Sequence, residues 1–286
     1  MSDIEPPDFP IPATLAACAT EVLTTADPMA KTAKSRAFAA AWFAGRAAGT
    51  PMPLGEAAPP DRPARPDRPE LLDPRDVPRR RPGSEAGRRA ILHAVAHIEL
   101  NAVDLHWDII ARFTAVRMPP GFYDDWVKAA DEESKHFRLI ESCLRASGSF
   151  YGDLPAHAGM WRAAEDTAGD LMARLGVVPM VLEARGLDVT PGMIAIFEKA
   201  GDAATVEALG VIYAEEVGHV AYGSKWFHFL CGRHELDPKE TFHALVRRYF
   251  HGALKPPFNE EKRAEAGLPP DFYWPLAEEL PQRPRG

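Results

Sequence analysis

The sequence contains few of the features that mark membrane, secreted or disulfide-bonded proteins. No run approaches the roughly 18 consecutive apolar residues that a membrane span requires. The first twelve residues carry acids and prolines where a secretory signal has basic residues followed by an apolar run, so we expect a cytoplasmic protein. The cysteines Cys18, Cys143 and Cys231 are odd in number and have no metal-binding spacing, which indicates reduced thiols.

An excess of basic residues is also missing. The formal net charge is -8, which argues against binding to nucleic acid or to an anionic membrane surface. One local group of arginines interrupts the acidic balance, and it is typical of a solvated segment. An RNA partner stays open only through this group, which comprises Arg79, Arg80, Arg81, Arg88 and Arg89.

Strand-like alternation of apolar and polar residues is almost absent, whereas helical apolar spacing is frequent. Most of the 28 prolines gather in residues 5–12, 51–82 and 256–284. Residues 51–82 are too rich in proline for regular structure and predict an extended strap. We therefore expect N-terminal helices and the strap in residues 1–83, a helical bundle in 84–254 and an irregular tail in 255–286.

The helical segments predict an all-α protein with four long helices. A first helical region, 13–47, should break near Asp27 and Pro28. Ser84 is a suitable N-cap for the first long helix, and Pro179 predicts a kink in the third. The long helices are predicted at 84–116, 122–146, 160–185 and 203–233, and two shorter ones at 192–200 and 239–252.

Two Glu-x-x-His motifs lie on the second and fourth long helices, at Glu133 to His136 and at Glu216 to His219. Residues i and i+3 share a helix face, so each motif can aim a carboxylate and an imidazole at one point. The motif is weak alone. A third copy, Glu240 to His243, falls in a first helical turn, where an acidic residue is favoured by the helix dipole without any metal.

Two further glutamates strengthen the pattern, because each lies in an apolar stretch of the first or third long helix. Glu99 precedes Glu133 by 34 residues, and Glu183 precedes Glu216 by 33, so both helix pairs can place their ligands at similar depth. This order matches the ligand set of di-iron and di-manganese carboxylate bundles. The predicted ligands are Glu99, Glu133, His136, Glu183, Glu216 and His219.

Electrostatics favour metal over an empty core, since four adjacent buried carboxylates could not all stay ionised without compensation. Carboxylates with imidazoles and no thiolate suit iron or manganese better than structural zinc. We expect two iron ions, with manganese–iron and manganese–manganese pairs left open. Candidates for supporting the site are His106, Tyr213 and Tyr222, although packing is the commoner role for each. Asn101, Asp104 and Asp108 could tether ligating imidazoles; His93 and His97 point away and are interpreted as structural.

Several runs of the sequence resemble a known family over most of the chain. They are AHIELNAVDL, EESKHF, VPMVLEARGLDVTPG, EEVGHVAYG and KPPFNEEKRAEAGLPPDFY. The chain is similar to the bacterial ferritin-like proteins grouped as domain of unknown function 455, and more distantly to di-iron monooxygenases, ribonucleotide reductase small subunits, fatty-acid desaturases and a tRNA hydroxylase. The resemblance implies a ferritin-like four-helix bundle with a di-iron site and no settled reaction.

Three functions remain open from the sequence. The first is a non-haem di-iron oxidoreductase, an oxygen-activating hydroxylase or oxygenase with a small-molecule substrate and an electron donor, both unidentified. The second is iron handling, by ferroxidase activity, storage or peroxide detoxification, although residues 51–82 and 255–286 should obstruct assembly into a cage. The third is a non-catalytic scaffold stabilised by metal. We expect a monomer or homodimer with no membrane partner.

Overall fold

The computed structural model describes residues 9–73, 76–78, 80–157 and 159–279. Most of these residues are helical, which confirms the all-α prediction. Part of the predicted strap and Arg79 of the arginine group lie outside the described residues. The helices are α1 (Leu15–Leu23), α2 (Pro28–Ala47), α3 (Glu85–Arg112), α4 (Pro120–Ala146), α5 (Gly159–Asp166), α6 (Leu171–Val177), a π-helical turn (Val178–Glu183), α7 (Ala184–Ala200), α8 (Ala203–Arg233), α9 (Pro238–Tyr249), α10 (Glu260–Glu265) and α11 (Pro270–Glu279).

The chain divides into two compact units, unit 1 (Met1–Trp161) and unit 2 (Arg162–Gly286). In unit 1, α3 packs against α4 and α1, and α2 packs against α4. The hydroxyl of Ser84 accepts a hydrogen bond from the Gly87 amide, 3.0 Å away, so Ser84 caps α3 as predicted. Asp27 caps α2, with Pro28 in its first turn, which confirms the predicted break between the first two helices.

The described part of the strap lies on unit 1. Its backbone amide at Ala64 donates to the Leu23 carbonyl at the end of α1, 2.7 Å away. Arg65 donates from Nη2 to the side-chain oxygen of Asn101 on α3, at 2.5 Å. Two residues of the strap, Leu71 and Leu72, form β1 and pair in parallel with β2, Ala156–His157. The strap is therefore attached to α3 and to the segment after α4.

In unit 2, α8 packs against α6, the π-helical turn, α7, α9 and α10. The π-helical turn contains Pro179, which has no amide hydrogen to donate to a regular helix. Gly223 of α8 lies against this proline, because a Cβ at Gly223 would come within 2.4 Å of Pro179 Cγ. A larger residue there would displace the turn that ends in Glu183.

The third long helix differs from the prediction of a single segment over 160–185. It is interrupted between Asp166 and Leu171, and it then continues through Gly186 and Pro191 to the end of α7. Pro191 cannot donate to the Leu187 carbonyl one turn before it. The side-chain amide of Asn259 donates to that carbonyl instead, at 3.3 Å, so the helix need not end.

The C-terminal tail also differs from the irregular segment that the sequence predicted, because it contains α10 and α11. Pro275 lies inside α11 and leaves the Asp271 carbonyl without a helical donor. His243 Nε2 donates to that carbonyl at 3.0 Å. Both prolines are thus accommodated by side chains from distant parts of the sequence.

Candidate metal centre

Three predicted ligands come together inside unit 1. Glu99 lies on α3, and Glu133 and His136 lie on α4 one helical turn apart. His136 Nδ1 is 3.3 Å from Glu99 Oε2 and 3.4 Å from Glu133 Oε2. One ligand atom from each of the three residues lies within 4.8 Å of the others, and all three side chains are buried. The distances suit a shared cation rather than three separate interactions.

The electrostatics of Glu99 support this interpretation. Burial raises the pKa of its carboxyl group well above the usual range, and the neighbouring carboxylate of Glu133 raises it further. His136 opposes the shift through a hydrogen bond and its charge. Two carboxylates and an imidazole in one buried volume therefore attract a cation that can keep both acids ionised.

His106 has a closer relation to this cluster than the core-packing role favoured by the sequence. It lies on α3, two turns after Glu99, and its Nε2 is 3.6 Å from Glu133 Oε1. Its ring is fully buried and stacks at a tilt on the indole of Trp126, with ring centres 5.3 Å apart. The seven-residue separation from Glu99 is the sequence signal that places both side chains on one face of α3.

The other three predicted ligands are in unit 2. Glu183 is the last residue of the π-helical turn, and Glu216 and His219 lie one turn apart on α8. His219 Nδ1 is 3.6 Å from Glu216 Oε2. A ligand atom of His219 is also within 4.8 Å of a carboxylate oxygen of Glu183, and all three residues are buried.

The two Glu-x-x-His motifs have the same orientation of the imidazole. In both Glu-x-x-His motifs, Nδ1 is the ring nitrogen that faces the carboxylate. Buried oxygen and nitrogen donors without thiolate fit iron or manganese. The residues present could therefore ligate either metal.

The remaining candidates have other contacts. Tyr213 accepts a hydrogen bond on its hydroxyl from Asn259 Nδ2, at 2.6 Å, and so contacts the C-terminal segment. The ring of Tyr222 is 6.4 Å from that of His219, centre to centre. Glu240 and His243 form no ligand cluster among the described residues, and His243 donates to carbonyls of α11. The third Glu-x-x-His motif is therefore structural.

The described contacts of Asn101 and Asp104 involve no ligating imidazole, so the suggested tether was wrong for these two residues and stays a prediction for Asp108. Asp104 forms a buried ion pair with Lys31 of α2. Asp108 accepts two hydrogen bonds from Arg112 Nε, at 2.9 and 3.0 Å, and Asn101 accepts from Arg65. These polar groups hold the strap and the N-terminal helices on α3.

His93 and His97 are structural, as the sequence suggested. His93 Nε2 accepts a hydrogen bond from the Gly152 amide at 2.9 Å, and His97 Nε2 donates to the His157 carbonyl at 3.0 Å. Burial lowers the pKa of His93 to about 4 and that of His97 to about 3. Both imidazoles are therefore neutral at physiological pH.

No helix in the described parts of the chain combines the length and apolar character needed to cross a bilayer. A family model described as "Protein of unknown function (DUF455)" matches residues 24–274. An uncharacterized protein of Haemophilus influenzae is 41% identical over 208 residues, which cover 71% of this chain and 72% of the relative. No solved structure matches the chain. Since the family model spans most of the sequence, the chain belongs to the DUF455 family.

Proposed function

We propose that the chain is a ferritin-like, non-haem di-iron oxidoreductase that uses oxygen to modify a small organic substrate. Its two iron ions would be held by Glu99, Glu133, His136, Glu183, Glu216 and His219. The observation that carries the proposal is that all six predicted ligands are buried and fall in groups of glutamates and histidines close enough to hold a metal ion. The equal sequence spacing of 34 and 33 residues within the two glutamate pairs supports it.

The raised pKa of Glu99 supports a cation at the unit 1 cluster. Glu99 and Glu133 raise the free energy of each other's ionised form, and a divalent ion removes that cost. Two bound iron ions would pass electrons from an external donor to oxygen. The glutamates and histidines fix the positions of those ions, and the buried indole of Trp126 beside His106 excludes water.

The test is anaerobic loading of the purified protein with Fe(II), followed by measurement of bound iron, oxygen uptake and particle size. We expect two irons per chain, oxygen uptake that depends on them, and a monomer or dimer. Glu133→Ala should lose bound iron and oxygen uptake together. Iron-loaded protein that consumes no oxygen would overturn the oxidoreductase proposal.

The same experiment separates the proposal from iron storage. Storage requires a closed assembly of many chains that takes up far more than two irons per chain. A cage-sized particle with that iron content would replace the oxygenase proposal with the second function. A protein that holds two irons but neither reacts with oxygen nor assembles would favour the metal-stabilised scaffold.

A further inference from the structure

The C-terminal segment of unit 2 contacts both helices that carry the unit 2 ligands. Asp188 of α7 is fully buried and forms a two-point ion pair with Arg263 of α10. Arg263 donates from Nε to Asp188 Oδ1 at 2.8 Å and from Nη2 to Asp188 Oδ2 at 2.7 Å. The backbone amide of Asn259 also donates to Asp188 Oδ1, at 2.9 Å. Such a fork is directional, so it fixes the orientation of the two segments as well as their distance.

Asn259 extends this contact to α8. Its side-chain oxygen caps α10 by accepting from the Lys262 amide, 3.1 Å away. Its side-chain nitrogen donates to the hydroxyl of Tyr213 on α8 at 2.6 Å and to the Leu187 carbonyl on α7 at 3.3 Å. The Leu187 carbonyl is the one that Pro191 leaves without a helical donor. One side chain therefore joins α7, α8 and α10 through its hydrogen bonds.

These contacts fall close to the ligands along each helix. Tyr213 precedes Glu216 by three residues, which is one turn on the same face of α8. Leu187 and Asp188 follow Glu183 by four and five residues, about one turn further along α7. The rings of Phe258 and Tyr273 flank the Arg263 guanidinium, with their centres 4.9 and 4.6 Å away, and this packing immobilises it.

We propose that Asp188, Asn259 and Arg263 form a clasp that positions Glu183, Glu216 and His219 for metal binding. The inference rests on the proposed di-metal function and adds a positioning element to it. Partners of this kind hold ligands in orientation without touching the metal, and their loss typically weakens metal affinity by about 10- to 100-fold. Because the clasp contacts α7 and α8 about one turn from Glu183 and Glu216, its loss should weaken metal binding.

The chain offers a matched control for the central arginine. Arg247 of α9 forms the same two-point pair with Glu279 of α11, at 2.8 and 3.0 Å, but this pair is exposed. Arg263→Met and Arg247→Met therefore remove the same kind of ion pair from the same C-terminal segment. Only the first removes a contact to the helices that carry ligands.

The experiment is titration of purified full-length protein with Mn(II), with free ions counted by electron paramagnetic resonance. Wild type should bind two ions, and Arg247→Met should bind them with the same affinities as wild type. Arg263→Met should bind Mn(II) about tenfold more weakly or worse. Asn259→Ser keeps a capping side chain for α10 but removes the amide donor, and it should show the same weaker binding. It serves as the second variant should Arg263→Met fail to fold.

Each other outcome is decisive. Two ions bound with wild-type affinity in both clasp variants would overturn the clasp and leave the proposed function standing. Equal weakening in Arg247→Met would mean general destabilisation, which also overturns the clasp. A wild-type protein that binds no Mn(II) and no Fe(II) would overturn the clasp and the proposed function together.

Discussion

Helix α3 has two polar faces whose buried side chains have different kinds of partner. One face, here called the strap stripe, carries His93, His97, Asn101, Asp104 and Asp108. The other, the ligand stripe, carries Glu99 and His106. At 3.6 residues per turn the two stripes point in nearly opposite directions. All seven side chains are buried, so the stripes differ in their partners and not in their exposure.

On the strap stripe, each acid has a basic side chain of the protein beside it. Asp104 pairs with Lys31, and Asp108 pairs with Arg112, whose Nη2 is 2.7 Å from Oδ1. On the ligand stripe, Glu99 faces a second carboxylate, Glu133, and the imidazole of His136. The first face therefore pairs its acids with bases of the protein, whereas the second brings two acids and an imidazole together in a group that could hold a metal ion.

The largest expected effect comes from breaking the pair on the strap stripe. Lys31→Met would leave Asp104 buried without its cation, which should lower the free energy of unfolding by about 3–5 kcal/mol. Urea denaturation with and without chelator measures it, and the loss should be the same in both. The double variant Lys31→Met/Asp104→Leu should recover most of the stability. If Lys31→Met lowers the free energy of unfolding only in metal-loaded protein, the two stripes do not differ as described.

Removal of metal should affect the ligand stripe next most strongly. Binding to the folded state alone adds about 3 kcal/mol when the free ion concentration is one hundred times Kd. Chelation should therefore lower the melting temperature of wild type, measured by circular dichroism. It should lower the melting temperature of Glu133→Ala by less, because that variant already holds less metal. Identical melting of chelated and metal-loaded wild type would contradict the need for an external cation.

The smallest effect concerns pH. Burial lowers the pKa of His97 to about 3, below the unfolded value near 6.5, so the unfolded state binds more protons between these limits. Stability from this group is therefore present above pH 6.5 and falls as pH falls. With chelator present, we expect wild type to lose about 1.6 kcal/mol more free energy of unfolding than His97→Gln between pH 6.5 and 5. If both proteins lose the same free energy of unfolding between pH 6.5 and 5, His97 does not titrate in this way.

Local patterns predicted much of the helical structure. Ser84, Asp27 and Pro28 marked helix starts correctly because capping depends on neighbouring residues. The ends of α7 and the helices of the tail were missed, since Pro191 and Pro275 usually end helices. Their carbonyl partners come from Asn259 and His243, which are distant in sequence.

The same reasoning explains which side chains were assigned correctly. Within each Glu-x-x-His motif the spacing alone brings the imidazole to the carboxylate. Asp104 and Asn101 were misassigned because Lys31 and Arg65 lie 73 and 36 residues away from them, and no local pattern identifies such partners. The strap, proline-rich and without long regular elements, supplies one of these partners.

The most direct test of the central claim is the metal content of anaerobically purified protein, measured by elemental analysis. Wild type should contain two ions per chain, with iron most abundant. Glu133→Ala and His219→Ala should each contain fewer while remaining folded. Glu240→Ala changes the motif whose histidine donates hydrogen bonds to carbonyls of α11, and it should keep two ions. Equal metal content in all four proteins, or none in wild type, would contradict the account.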